Sequence, residues 1–293
     1  MPTILVADDG AEDRKRIGAI LEQDRNLQVV CVADGAEALV QFETEKPDLL
    51  LPDLQMPKMD GLDLIRAVRQ KCSSTPIVVM TSHGSQELAA EALASGAASY
   101  VPKSEADDEL LNTVQHVLTL STRRAVPPLP AELKQIHRVY VIHNDSQLIT
   151  SLVGHLQENL AQIGLCDASE KIRFGVAIEE ALVNAMIHGN LEIDSNVKEQ
   201  DPAQFDILVQ QRRLEEPYKD RKIEVEIQLS AEQAVVTIGD QGQGFDLSTL
   251  PDPTDPENLE KISGRGVLLM RSFMDEVQFN PTGNQVTLIK RKK

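Results

Sequence analysis

At 293 residues, 41% of them hydrophobic, the chain is long for one core, so two globular domains are expected. Its 46 acidic residues outnumber 29 basic ones, for a formal net charge of −17, a balance that argues against non-specific binding to nucleic acid. Three scattered cysteines make no disulfide or zinc framework, and no apolar run approaches the ~18 residues that span a bilayer, so a reduced, cytoplasmic protein without a membrane partner is expected.

In the first half, short apolar runs alternate with helical periods. TILVA (3–7) precedes EDRKRIGAILEQ, and LQVVCVA precedes GAEALVQFETE. PDLLL, PIVVM and ASYV are each followed by an amphipathic segment in the same way. Continuous apolar strands between helices predict a doubly wound five-stranded parallel sheet, whose site lies beyond the carboxyl ends of the strands. Those ends carry Asp8 and Asp9, Asp53, Thr81 with Ser82, and Lys103. Three carboxylates brought together repel one another, and Mg2+, a hard cation with oxygen ligands, relieves this. Asp53 then reads as a nucleophile for a phosphoryl group, with Lys103 to hold the charge and the Thr81 hydroxyl to sense it.

The phrases DD (8–9), PDLLLPDLQMPKMDG (47–61), MTS (80–82) and YVPK (100–103) resemble the receiver domain of bacterial response regulators over about residues 1–121. The resemblance implies a flavodoxin-like fold, Asp53 as phosphoacceptor, Asp8 and Asp9 as Mg2+ ligands, Thr81 and Tyr100 as a switch pair, and an upstream histidine kinase as phosphodonor. Pro52 departs from the pattern: a proline before the phosphoacceptor removes one backbone donor from the sheet.

Pro127, Pro128 and Pro130 mark a linker over 122–137. Beyond it, RVYVIH reads as a strand, and a helix follows with Asp145 or Ser146 as its cap. The next helix carries EEALVNAMIHGN (179–190), where Glu180 and Asn184 stand one turn apart on one face. An amide oxygen at Asn184 suits Mg2+ beside phosphates, and the Glu180 carboxylate suits proton abstraction. Two strands, KIEVEIQL and QAVVTIGD, then deliver Asp240 to a strand end, an acceptor for an exocyclic amine such as adenine's. Gly242 and Gly244 allow close backbone approach to a ligand. The segment 246–263 reads as a lid; Gly264 and Gly266 present amides at a helix start, and Arg265 is placed to touch a terminal phosphate.

EEALVNAMIHGN, DQGQGFD, GRGVLLMRSFMDEV and GNQVTLIK together resemble the GHKL ATPase superfamily over about 138–293, and within it the anti-sigma-factor serine kinases. The resemblance implies an α/β sandwich binding ATP with Mg2+, Glu180 as general base, Asn184 as metal ligand and Asp240 as adenine reader. It also implies Gly242, Gly244, Gly264, Arg265 and Gly266 around the phosphates and Thr287 near adenine. Residues 191–222, an insertion expected to hold one extra helix, have no assigned chemistry, although Arg221 is one residue it offers to the site. The function expected is a response regulator whose output domain phosphorylates a serine or threonine of a STAS-type anti-sigma-factor antagonist. A nucleotide-bound switch that sequesters a sigma factor under Asp53 control is the alternative, and the family likeness allows a homodimer. A histidine kinase is disfavoured, because too little chain separates the domains for a dimerising helix pair.

Overall fold

The computed structural model describes residues 1–72, 74–82, 86–121, 135–194, 197, 201–245 and 265–292, without the side chains of Gln86, Pro202 and Arg265. The proline-rich part of the linker, the lid at 246–263 and Gly264 lie outside the described residues, as does the Arg265 side chain. The chain forms two compact units, Met1–Arg124 with Asp167–Arg173, and Ala125–Cys166 with Phe174–Lys293. Among the described residues no helix is long and apolar enough to cross a membrane.

The first unit alternates strands β1 (Thr3–Ala7), β2 (Gln28–Val32), β3 (Leu49–Pro52), β4 (Val78–Thr81) and β5 (Ser99–Pro102) with helices. Those helices are α1 (Ala11–Leu21), α2 (Gly35–Glu45), α3 (Gly61–Lys71), α4 (Gln86–Ala94) and α5 (Ala106–Ser121). Every residue of β3 and β4 is buried, as an apolar run in a sheet covered on both faces must be. Regular parallel ladders join β2, β1 and β3, and separately β4 and β5. Parallel bridges at Leu50–Ile77 and Asp53–Met80 connect the two sets, giving the 2-1-3-4-5 order of a flavodoxin-like sheet. Between β3 and β4 the Leu50 N–H reaches the Pro76 carbonyl at 3.0 Å and the Leu54 N–H reaches Met80 at 3.2 Å. The donor between them belongs to Pro52, which has none, so this seam is a pair of bridges rather than a ladder. Ile4, Val6, Leu49, Leu51, Val78 and Met80 form the core with Ile17 of α1 and Leu110, Val114 and Val117 of α5. Asp34 and Asp60 cap α2 and α3 by accepting from the N–H groups of Glu37 and Asp63, each cap worth about 1 kcal/mol.

The second unit is built on an antiparallel sheet of β6 (Gln135–His143), β7 (Lys222–Ser230), β8 (Gln233–Gly239), β9 (Glu276–Phe279) and β10 (Gln285–Arg291), in the order β6-β7-β8-β10-β9. Alternation assigns its faces: Ile223, Val225, Ile227 and Leu229 of β7 are buried, while Glu224 and Gln228 are exposed. The buried face meets helices and the other is open to water, the arrangement of an α/β sandwich. Helix α6 (Ser146–Ile163) starts where the Asp145 carboxylate accepts the Gln147 N–H at 2.9 Å, and stops at Gly164 with φ of 70°. Helix α7 (Ala168–Asn184) runs directly into a π-helical turn, Ala185–Asn190, in which the Leu191 N–H reaches five residues back to Met186. The insertion does contain a helix, α8 (Pro202–Arg212), capped by Asp201, followed by a 3-10 turn at Tyr218–Asp220. Helix α9 (Arg265–Phe273) precedes the last two strands.

Candidate functional site

In the first unit, Asp8, Asp9 and Asp53 stand at the ends of β1 and β3 with one oxygen each within 4.8 Å of the others. Asp8 and Asp53 are buried and Asp9 is exposed. All donors are carboxylate oxygens and one stays open to solvent, so the set fits a hard divalent cation. Lys103, just past β5, places Nζ 2.6 Å from Asp53, 2.8 Å from Asp8 and 3.0 Å from Asp13. Burial alone would lower the pKa of this ammonium, but hydrogen bonds to Asp53, Asp8 and Asp13 outweigh it and raise the pKa above the ordinary lysine value. Burial likewise pushes the Asp8 carboxyl up, against the pull of Lys103. The Gly10 N–H fixes one Asp8 oxygen at 2.8 Å, and the Gln55 N–H one Asp53 oxygen at 3.1 Å. Gly61 is required here, since a Cβ would lie 2.3 Å from the Asp53 carbonyl oxygen. Thr81 and Tyr100 are both buried on the neighbouring strands β4 and β5.

In the second unit a cavity of about 260 Å³ opens between the π turn, the end of β8 and helix α9. Asn184, His188 and Asp240 supply polar groups to its wall, and Ile238, Met270 and Val286 supply an apolar one. A largely apolar cavity with few fixed polar groups suits a heteroaromatic base. Asp240 is wedged against the π turn: a Cβ on Gly189 would fall 2.3 Å from its Cγ, and one on Gly242 would fall 2.2 Å from the Gly189 carbonyl oxygen. The Gly242 N–H donates to Asp240 Oδ1 at 2.8 Å. Burial pushes the Asp240 carboxyl up to about 6, against that N–H and the charge of Arg221. Gly244 has φ of 74°, and any side chain there would strike the Thr282 carbonyl. Across the cavity, Gly266 lies against the Glu180 carboxylate and the Asn184 amide, at 2.8 and 3.5 Å from a hypothetical Cβ. Glu180 and Asn184 therefore face the start of α9. His188 donates from Nδ1 to the Ile193 carbonyl at 2.6 Å, leaving Nε2 an acceptor in the neutral ring.

Residues 143–290 match the histidine kinase-like ATPase domain family, and residues 4–115 match the response regulator receiver domain. The chain belongs to the histidine kinase-like ATPase domain family. Its ATPase domain follows a receiver domain. The chain is 36% identical over 132 residues to protein-glutamate methylesterase/protein-glutamine glutaminase 2 of Pseudomonas fluorescens, covering 41% of this chain and 35% of that protein. It is 40% identical over 113 residues to the uncharacterized transcriptional regulatory protein YhcZ of Bacillus subtilis, covering 38% and 53%. Among solved structures, the receiver domain of Francisella response regulator 1452 is 31% identical, with a TM-score of 0.38 and coverage of 40% of this chain and 96% of that one. The chain spans about a third of the length of the methylesterase relatives it matches.

One residue is not where the family likeness implies. Thr287 of the ATPase domain sits on the open face of the sheet, where its Oγ1 lies 3.1 Å from Oγ1 of Thr237, its partner on the adjacent strand β8. The reason is the two-residue period of β10: Val286 and Leu288 are buried, so Thr287 faces the other way. The neighbour of Asp240 on this strand pair is Asn284, whose carbonyl accepts the Asp240 N–H at 3.0 Å and whose Nδ2 donates back to the Asp240 carbonyl at 3.5 Å. Strict alternation along QVTLIK carried the signal for the Thr287 face. Nothing in the local sequence pointed to the buried pair Asn190 and Asn144, or to the Gln241 N–H that donates to Asn190 beside Asp240. Phe245 and Phe279, edge to face at 5.5 Å between centroids, also line the cavity.

Proposed function

We propose that the ATPase domain binds ATP with Mg2+ and transfers its terminal phosphoryl group to a serine or threonine of a STAS-type antagonist of an anti-sigma factor, under the control of Asp53. One observation carries this reading: Asn184 and Asp240 line a single base-sized cavity, while Gly266 at the start of α9 packs on Glu180 and Asn184. In this reading Asp240 accepts the adenine amine and the apolar wall takes the ring. Asn184 Oδ1 is the protein ligand for Mg2+, which when bound neutralises phosphate charge. The substrate hydroxyl attacks the γ-phosphorus, its proton passes to the Glu180 carboxylate, and the bond to the β-phosphate oxygen breaks to release ADP. The amides of Gly264 and Gly266, with Arg265, are the groups proposed for the phosphates.

On the receiver domain, a histidine kinase is the phosphodonor, Asp53 the acceptor, and Asp8 with Asp9 hold the Mg2+. Lys103 then transfers its contact from Asp53 to the phosphoryl oxygens, and Thr81 with Tyr100 responds. The test is a phosphotransfer assay with purified STAS-type antagonists. Transfer is expected to fall at least about a hundredfold in Glu180→Gln, the scale of general base catalysis, while ATP binding is retained, and Asn184→Ala is expected to abolish Mg2+-dependent binding. Equal rates in Glu180→Gln remove that residue from the reaction. Tight ATP binding with no ADP formed on any antagonist replaces the kinase by a nucleotide-gated switch that captures a partner such as a sigma factor.

A further inference from the structure

The insertion at 191–222 is tied to the nucleotide cavity through a chain of polar contacts centred on the buried Asn190. Arg221 donates from Nη1 to the Asn190 carbonyl at 2.7 Å and to Glu192 Oε1 at 2.8 Å. Asn190 is fully buried, and its carbonyl, Nδ2 and Oδ1 are all engaged. Its Nδ2 donates to Asn144 Oδ1 at 2.8 Å, and its Oδ1 accepts the Gln241 N–H at 2.8 Å. Asn144 in turn donates to the Tyr218 carbonyl at 3.1 Å, inside the insertion. Arg212 donates to the Leu191 and Glu192 carbonyls, and the guanidinium groups of Arg212 and Arg221 lie over the Tyr218 ring, 4.8 and 5.1 Å from its centroid. The far end of this network is Gln241, the residue between Asp240 and Gly242, whose Oε1 accepts the Lys222 N–H at 2.9 Å. Fully satisfied buried networks hold their members in one arrangement, and a single missing partner leaves a costly orphan.

We propose that the 191–222 segment is a built-in clamp for base recognition, in which Arg221, acting through Asn190 and Gln241, positions the Asp240 carboxylate to distinguish a purine with a 6-amino group from one without it. The inference rests on the reading of Asp240 as the adenine acceptor. Arg221 touches no nucleotide in this scheme; it is a positioning residue. The Asn190 carbonyl, at the last residue of the π turn, is free to accept from it because the wide turn leaves that carbonyl outside the helical ladder. Gly189, one residue earlier, is the surface on which the Asp240 side chain rests. Clamp and carboxylate therefore share one short piece of backbone.

The test compares the affinities of the full chain, in Mg2+, for ATP and for purine riboside triphosphate, which lacks the amine. The wild type is expected to prefer ATP by about tenfold or more, the scale of one charge-assisted hydrogen bond. In Arg221→Met, ATP is expected to weaken about tenfold while the analogue changes less than about twofold, so the preference collapses; Arg221→Lys, which keeps a cation, is expected to recover part of it. If Arg221→Met does not fold, Asn190→Ala breaks the link to Gln241 and carries the same expectation. Equal weakening of both nucleotides, or an unchanged preference, overturns the clamp. A wild type that binds both nucleotides equally overturns the clamp and the role of Asp240 as adenine acceptor but leaves ATP binding standing, and a wild type with no affinity for ATP overturns the whole functional reading.

Discussion

Asp240 shows how a binding site is held at the expense of the empty fold. Its carboxyl is pushed up to about 6 from an ordinary 3.8, chiefly by burial. As pH rises through that window the unfolded chain releases its proton before the folded one does. The cost to stability is absent in acid, grows between pH 3.8 and about 6, and is complete above it. The side chain is partly exposed, so solvent screening reduces the cost to about 1–2 kcal/mol. Asp240→Asn, nearly the same shape, is therefore expected to stabilise the nucleotide-free protein by that amount at pH 7.5 and by nothing at pH 3.5, as urea denaturation would measure. The same substitution is expected to weaken ATP by tenfold or more, about 1.4 kcal/mol. A variant with unchanged stability at both pH values would mean that the carboxylate is fully solvated. Thr287 teaches the complementary lesson: a hydroxyl on the right strand, one position out of phase, faces the opposite side of the sheet.

Pro52 matters at the level of elements, because it leaves β3 and β4 joined by bridges on either side of a missing donor. Pro52→Val supplies an N–H aimed at the Val78 carbonyl. The new bond is worth about 0.5–1.5 kcal/mol, offset by about 0.4–1 kcal/mol of chain entropy that proline had removed from the unfolded state. Net stability is expected to change little, whereas the amide of residue 52 is expected to be strongly protected in hydrogen exchange; rapid exchange there would mean that the seam does not close. The loss of that donor was legible in the sequence, as were the β/α alternation and the acids at the strand ends, because each depends on residue type and local period. The π turn was not: the apolar spacing of IEEALVNAMI continues smoothly, and the widening shows only in how the backbone bonds. Nor was the fit of Arg221 to Asn190, since the two are separated by 31 residues and meet only once the insertion has folded.

For the molecule as a whole, a formal charge of −17 sets the terms on which any phosphate-bearing ligand arrives. Free ATP is a polyanion approaching an acidic protein, so long-range repulsion slows encounter until salt screens it. The association rate of ATP is expected to rise as NaCl increases from about 20 to 200 mM, over which the screening length falls from roughly 20 to 7 Å, and stopped-flow measurement with a fluorescent nucleotide would check it. A rate that falls with salt would mean that a local cationic patch outweighs the global charge. Mg2+ is expected to flatten the dependence by reducing the ligand's own charge. The wide turn at Ala185–Asn190 has a genetic corollary. Loss of a single codon there would close the turn to an ordinary α-helix with little change of direction beyond it, because a π turn spends one extra residue on about the same rotation. Asn190 would then still face Gln241 and Arg221, so natural variants that drop one residue at this point are expected to keep the 191–222 segment.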